Sequence, residues 1–124
     1  MSEQAVLWLP PGRSIRELID PSFRADPRVL AYLRDAPVVM AAGRQAWICE
    51  LGCAPGRDAY ALRCDNEFLW PNVLEHYVAD HQVRLPQPML DHIARRGFQP
   101  PAQRELDFTR VPPPYGPPPQ QDFG

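Results

Sequence analysis

Residues 74–86, LEHYVADHQVRLP, place two histidines five positions apart where a helical pattern runs out, and the upstream segment 49–53, CELGC, holds two cysteines. Whether these four side chains share one site decides how the middle of the chain folds. Zinc takes soft or borderline ligands in a tetrahedron, and a turn and a helix can each supply a pair. Here Cys49 and Cys53 are separated by three residues, His76 and His81 by four, and the two pairs by twenty-two. The outer spacings match a Cys2His2 pattern, while the central interval is longer than in nucleic-acid-binding fingers.

A straight helix imposes a condition on this grouping. At 3.6 residues per turn, residues five apart point about 140° from each other. His81 can therefore join His76 only if the helix tightens or breaks near Asp80, and the following QVRLP is consistent with such an end, since 3-10 turns are common at helix termini. The competing assignment makes His81 a core histidine one turn beyond Tyr77, His76 a surface group, and both cysteines small buried apolar residues.

The run LWPNVLEHYVADHQVRLP, residues 69–86, preceded by the cysteine pair and a turn, resembles a group of small bacterial proteins of unassigned function. These share a cysteine pair followed by Trp-Pro, a Leu, His-Tyr-Val, a second His and Val-Arg-Leu-Pro. The resemblance covers roughly residues 15–93, and its specific part is about thirty residues long. It implies that Cys49, Cys53, His76 and His81 are the metal-binding positions. The group's CxxC differs from CELGC, which has an additional residue between the thiols. The resemblance carries no activity with it.

Outward from this segment, Ser14 and Glu17 in SIRELID have the spacing of a capping box and predict a short helix stopped by Pro21. In DPRVLAYLRDAP, Asp26 is the expected N-cap, Pro27 the first helical residue, and Val29, Leu30 and Leu33 the apolar stripe, with Pro37 ending the run. PVVMAAGRQAWIC reads as two strands joined at a Gly43-Arg44 turn. DAYALRC alternates as a third strand and ends in the turn-forming DNE, with Phe68 and Leu69 as a possible fourth. The histidine helix is expected to start at Pro71 and end near His81, and a last helix to follow Pro88 through MLDHIARRG, capped by Gly97. From Gln99 onward eight of twenty-six residues are proline, which predicts an extended or disordered tail.

The chain of 124 residues is a one-domain length, and setting the tail aside leaves about 95 residues for a small core. A net charge of −2 and a pI near 5.9 disfavour a nucleic-acid partner, which would call for a clustered basic surface. All thirteen cations are arginines, a bias attributed to coding composition rather than to function. No charged start precedes an apolar run and no eighteen consecutive residues are apolar, so neither export nor a membrane is expected and the cytoplasm is the expected location. Three cysteines cannot all pair within one chain, and a reducing compartment makes metal ligation a better use for two of them than a disulfide.

Other chemistry can be drawn from the same residues. Cys64 with His92 or His76, oriented by Asp65 or Asp91, has the makings of a nucleophile and base, although a half-buried strand residue is the simpler reading of Cys64. Glu75, His76, Asp80 and His81 without the cysteines would make an open, hydrolase-like metal site, but the spacing lacks the His-Glu-x-x-His arrangement that puts both imidazoles on one face. PPPY, residues 112–115, matches a proline-rich ligand of aromatic grooves, and a solubilising tail explains it as well. Trp47 and Trp70 are expected in the core, and Trp8 as an exposed anchor.

These readings converge on an α+β fold. Residues 1–98 would form one domain with two N-terminal helices, a small antiparallel sheet, a Cys2His2-type zinc knuckle and a final helix, and 99–124 a proline-rich tail. The expected function is a non-catalytic, Zn2+-stabilised module that binds another protein, for instance an accessory or immunity-type protein. A nucleic-acid-binding zinc finger and a small metal-dependent hydrolase are the alternatives.

Overall fold

The computed structural model describes residues 4–9, 12–53 and 59–112, with the side chains of 42–46 and 59 excepted. The fold is α+β, as expected, with a four-stranded sheet and three α-helices. The strands are β1 (Val6–Leu7), β2 (Val38–Ala46), β3 (Ala59–Cys64) and β4 (Phe68–Pro71), and the helices α1 (Pro27–Asp35), α2 (Leu74–Asp80) and α3 (Gln87–Arg95). The sheet order is β1-β4-β3-β2. Among the described residues no helix is long and apolar enough to cross a membrane.

Local chemistry accounts for the helices. Asp26 caps α1 by accepting from the Arg28 N–H, and Pro27 starts it with a preset φ. Gly97, with φ of +65°, turns the chain out after α3 in the conformation that glycine adopts without a Cβ penalty. The segment after Ser14 forms only a 3-10 turn, Ile15–Leu18. Ser14 Oγ accepts from the Arg16 N–H while the Glu17 carboxylate pairs with Arg13, so the expected capping box is replaced by a short cap and a surface ion pair.

The sheet departs from expectation in three ways. Val38–Ala46 is one strand rather than a hairpin, and it absorbs Gly43 by a register shift against β3 between Ala41 and Ala46. The sheet is mixed rather than antiparallel, because the two-residue β1 pairs parallel with β4, Val6 opposite Phe68. Pro71 ends β4 instead of starting the helix. Its place at a strand terminus requires less ladder bonding from an imino nitrogen than a central position would.

Side-chain alternation along β3 and β4 splits the core in two. Trp70 faces a large cluster with Tyr32, Leu33, Leu74, Tyr77, Val83, Met89 and Ile93, supplied by the three helices and the chain between them. Trp70 stacks on Tyr32 at 6.1 Å between ring centroids, and its indole N–H donates to the Leu33 carbonyl at 3.1 Å. On the opposite face Leu62, Cys64 and Leu69 meet Leu106 and Val111. Residues 103–110 carry two 3-10 turns, Gln103–Glu105 and Phe108–Arg110, and Ala5 N–H donates to the Arg110 carbonyl. Residues 105–108, ELDF, are thus part of a turn-rich strap across the sheet. Residues 113–124, which include most of the PPPY motif, lie outside the described residues.

Trp8 is buried at 5% exposure within the larger cluster, not an exposed anchor. Pairing of β1 with β4 carries it inward, since the Trp8 N–H donates to the Leu69 carbonyl at 2.9 Å. Two polar side chains, Asp65 and His92, are buried among the described residues. Asp65, 1% exposed, accepts from the Tyr32 hydroxyl at 2.5 Å and from the Glu67 and Phe68 N–H groups, and its Oδ2 lies 2.9 Å from His92 Nε2. These bonds satisfy a carboxylate that would be costly to bury alone.

Candidate metal centre

The helix ends where the site requires it to. α2 stops at Asp80, and His81 is the C-cap residue with φ −119° and ψ 10°, outside helical geometry. Its N–H still reaches the Tyr77 carbonyl at 3.0 Å, after which Gln82 takes a φ of +51° and the chain is drawn back against the N-terminal turn by the Ile19–Val83 bridge. This break rotates His81 away from the direction an unbroken helix would give it.

The cysteine segment is brought over the same helix end by specific bonds. The Glu50 N–H donates to the Tyr77 hydroxyl at 3.0 Å, and Arg16 donates to the Glu50 carbonyl at 3.1 Å. Gly52, at φ +97°, closes the turn with its N–H on the Cys49 carbonyl. Tyr77 therefore serves helix and turn at once: its ring is buried in the core and burial pushes its hydroxyl up in pKa, while the oxygen accepts from Glu50.

Cys49, Cys53, His76 and His81 offer one donor atom each, and those four atoms lie within 4.8 Å of one another, close enough to bind a metal ion. His81 Nε2 is 3.1 Å from Cys53 Sγ and 3.5 Å from Cys49 Sγ. The two imidazoles meet edge to face at 4.9 Å between centroids. His76 Nδ1 lies 2.9 Å from Asp80 Oδ2, one turn along the helix. With that nitrogen donating to the carboxylate, Nε2 carries the free lone pair, and Nε2 is buried without a hydrogen-bond partner among the described residues. A carboxylate behind a histidine and a bare nitrogen in front are the arrangement found at metal sites.

Charge at the site also favours a cation. The Cys53 thiol is pushed above its ordinary pKa by lost hydration first, then by its hydrogen bond and charge interaction with Cys49, and by the negative Asp80. A divalent ion reverses each charge effect by neutralising the sulfurs directly. Cys49 is buried and accepts from the Leu51 N–H, whereas Cys53 is exposed.

Sequence reasoning overlooked the supporting bonds. The i, i+4 spacing of His76 and Asp80 was a legible signal for one of them, but nothing local signals that Glu50 N–H will find Tyr77. Trp47, 5.0 Å from His76, and Arg34, Glu75 and Asp80 line an open cleft of about 660 Å³ beside the centre. Cys64 is fully buried on the opposite face of the sheet, where burial pushes its thiol up in pKa, an environment that disfavours a nucleophile.

No family model, no curated protein and no solved structure matches this chain.

Proposed function

We propose that this chain is a non-catalytic protein-interaction module stabilised by zinc, with Cys49, Cys53, His76 and His81 as the ligands. The observation that carries the reading is the convergence of two sulfurs and two ring nitrogens within 4.8 Å. Sulfur and imidazole suit zinc and disfavour magnesium and calcium, which take oxygen. With bonds of about 2.0–2.3 Å, neighbouring donors in a zinc tetrahedron lie roughly 3.4–3.8 Å apart, so small side-chain rotations close the site. Four protein donors leave no position for an activated water, which assigns the ion a structural role.

Magnitudes support that role. Of residues 47–51 only Cys49 is fully buried, Trp47 and Leu51 are half-buried against the main cluster, and Ile48 is 72% exposed, so apolar burial holds this segment only in part. Ordering five residues costs about 5–10 kcal/mol of backbone entropy. Zinc binding in small structural sites supplies about 10–16 kcal/mol near neutral pH, enough to fasten the turn to α2. Fastening the turn also fixes Ile48, an exposed apolar side chain beside a ligand, in one orientation suited to a partner protein. An accessory or immunity-type protein docking on another bacterial protein is the concrete form of this proposal. Glu75 and Asp80 on α2, with no arginine in that helix, oppose the phosphate contact a nucleic-acid finger needs.

A metal-dependent hydrolase is the second reading, favoured by the cleft beside His76. It requires a coordination position freed for water, and a five-coordinate spectrum of the cobalt-substituted protein would favour it.

Metal analysis of carefully purified chain tests the zinc proposal, with near-stoichiometric zinc expected in wild type and a marked loss in Cys53→Ser; wild type without zinc rejects it. Affinity capture from the native cell tests the interaction: a stoichiometric protein partner lost with Ile48→Asp supports it, and co-purifying nucleic acid or metabolite overturns it.

A further inference from the structure

The two sulfurs of the metal centre differ in a way that zinc binding alone does not require. Cys53 is exposed and Cys49 is buried, yet both face His81 Nε2 and lie within the same 4.8 Å cluster. Three residues separate them, and the turn through Gly52 folds the segment back so that the sulfurs approach each other. The third cysteine, Cys64, is buried in the separate cluster across the sheet with Leu62 and Leu69. An oxidant arriving from solvent therefore meets Cys53 first, finds Cys49 next to it, and has no access to Cys64.

We propose that Cys53 and Cys49 form a peroxide-responsive switch in which oxidation to a disulfide expels the metal and unties the 47–53 segment from His76 and His81. This rests on the zinc reading above and adds a regulatory chemistry to it. Metal coordination keeps both sulfurs as thiolates, the nucleophilic form. The Cys53 sulfur attacks one oxygen of hydrogen peroxide: an S–O bond forms, the O–O bond breaks, and the departing hydroxide takes a proton to become water. Cys53 is then a sulfenic acid. The Cys49 thiolate attacks that sulfur, the S–S bond forms, the S–O bond breaks, and a second hydroxide leaves and takes a second proton. Two electrons pass from the sulfurs to the peroxide, which is reduced to two waters. The ion keeps only His76 and His81, too few ligands for tight binding, and departs as the divalent cation.

Release has a structural consequence at Ile48, which immediately precedes Cys49 in the chain. Without the ion, the segment loses its tie through His76 and His81 and is held at Glu50 alone, whose N–H donates to the Tyr77 hydroxyl and whose carbonyl accepts from Arg16. The exposed apolar side chain then has no fixed orientation, which links oxidation to partner binding.

The zinc-loaded full chain, titrated with hydrogen peroxide in the presence of a chromogenic zinc chelator, tests the proposal. Zinc release is expected in equal amounts with a Cys49–Cys53 disulfide, seen as loss of two hydrogens in intact mass and mapped by non-reducing peptide digestion. A thiol reductant with added zinc should restore the metal, and Cys64→Ser should respond as wild type does. A chain that never holds zinc would sink both the metal centre and this inference. A chain that holds zinc and keeps it under excess peroxide, or that accumulates sulfinic acid at Cys53 or a disulfide through Cys64, overturns this inference alone.

Discussion

His76 Nδ1 lies 2.9 Å from Asp80 Oδ2, and the opposite ring nitrogen, Nε2, is buried with no hydrogen-bond partner among the described residues. The carboxylate fixes the tautomer and ring orientation that a metal ligand needs. Replacing Asp80 by Asn should weaken zinc binding by about 10- to 100-fold, the usual effect of removing such a supporting group. Chelator competition measures it. An unchanged affinity would mean that Asp80 is only a solvent-exposed helix partner.

Metal affinity should rise with pH. The Cys53 thiol sits above its ordinary value, through lost hydration and the neighbouring Cys49 and Asp80, so it is protonated at neutral pH in the metal-free chain. Binding must displace that proton, and acidification therefore competes with the ion while alkaline conditions assist it. Calorimetry in buffers of different ionisation enthalpy counts the protons released. Binding with no proton release would argue that sulfur is not a ligand.

Asp65 should be needed for the fold and irrelevant to metal. It accepts from Tyr32, Glu67 and Phe68 and faces His92 in the core. Asp65→Ala leaves those groups without their acceptor, and removing one member of such a buried network costs about 3–5 kcal/mol. Urea denaturation reads the loss. A variant as stable as wild type would show the network to be energetically neutral.

Trp8→Ala tests the parallel pairing of β1. A Trp buried as Trp8 is should cost about 3–5 kcal/mol on truncation, whereas a surface anchor costs within about 0.5 kcal/mol. Thermal or denaturant unfolding distinguishes the two.

What the sequence determined was local. Asp26 and Pro27 start α1, Gly97 closes α3, and the alternation of Tyr60 to Cys64 makes β3, because caps, preset φ angles and side-chain period act within a few residues. The grouping of Cys49, Cys53, His76 and His81 was legible too, together with the condition that α2 end at Asp80 for His81 to join it. Tertiary structure decided the rest. Gly43 passes through a strand because β3 lies alongside to hold it in a shifted register, and Trp8 goes inward because two residues of β1 find β4. The segment holding Leu106 and Val111 covers the second face of the sheet, since those few apolar residues among many prolines and polar groups had somewhere to be buried only once Leu62, Cys64 and Leu69 presented a surface. Each of these outcomes depends on a partner distant in the chain, and local propensity cannot choose among the distant segments that intervening loops of this length allow to meet.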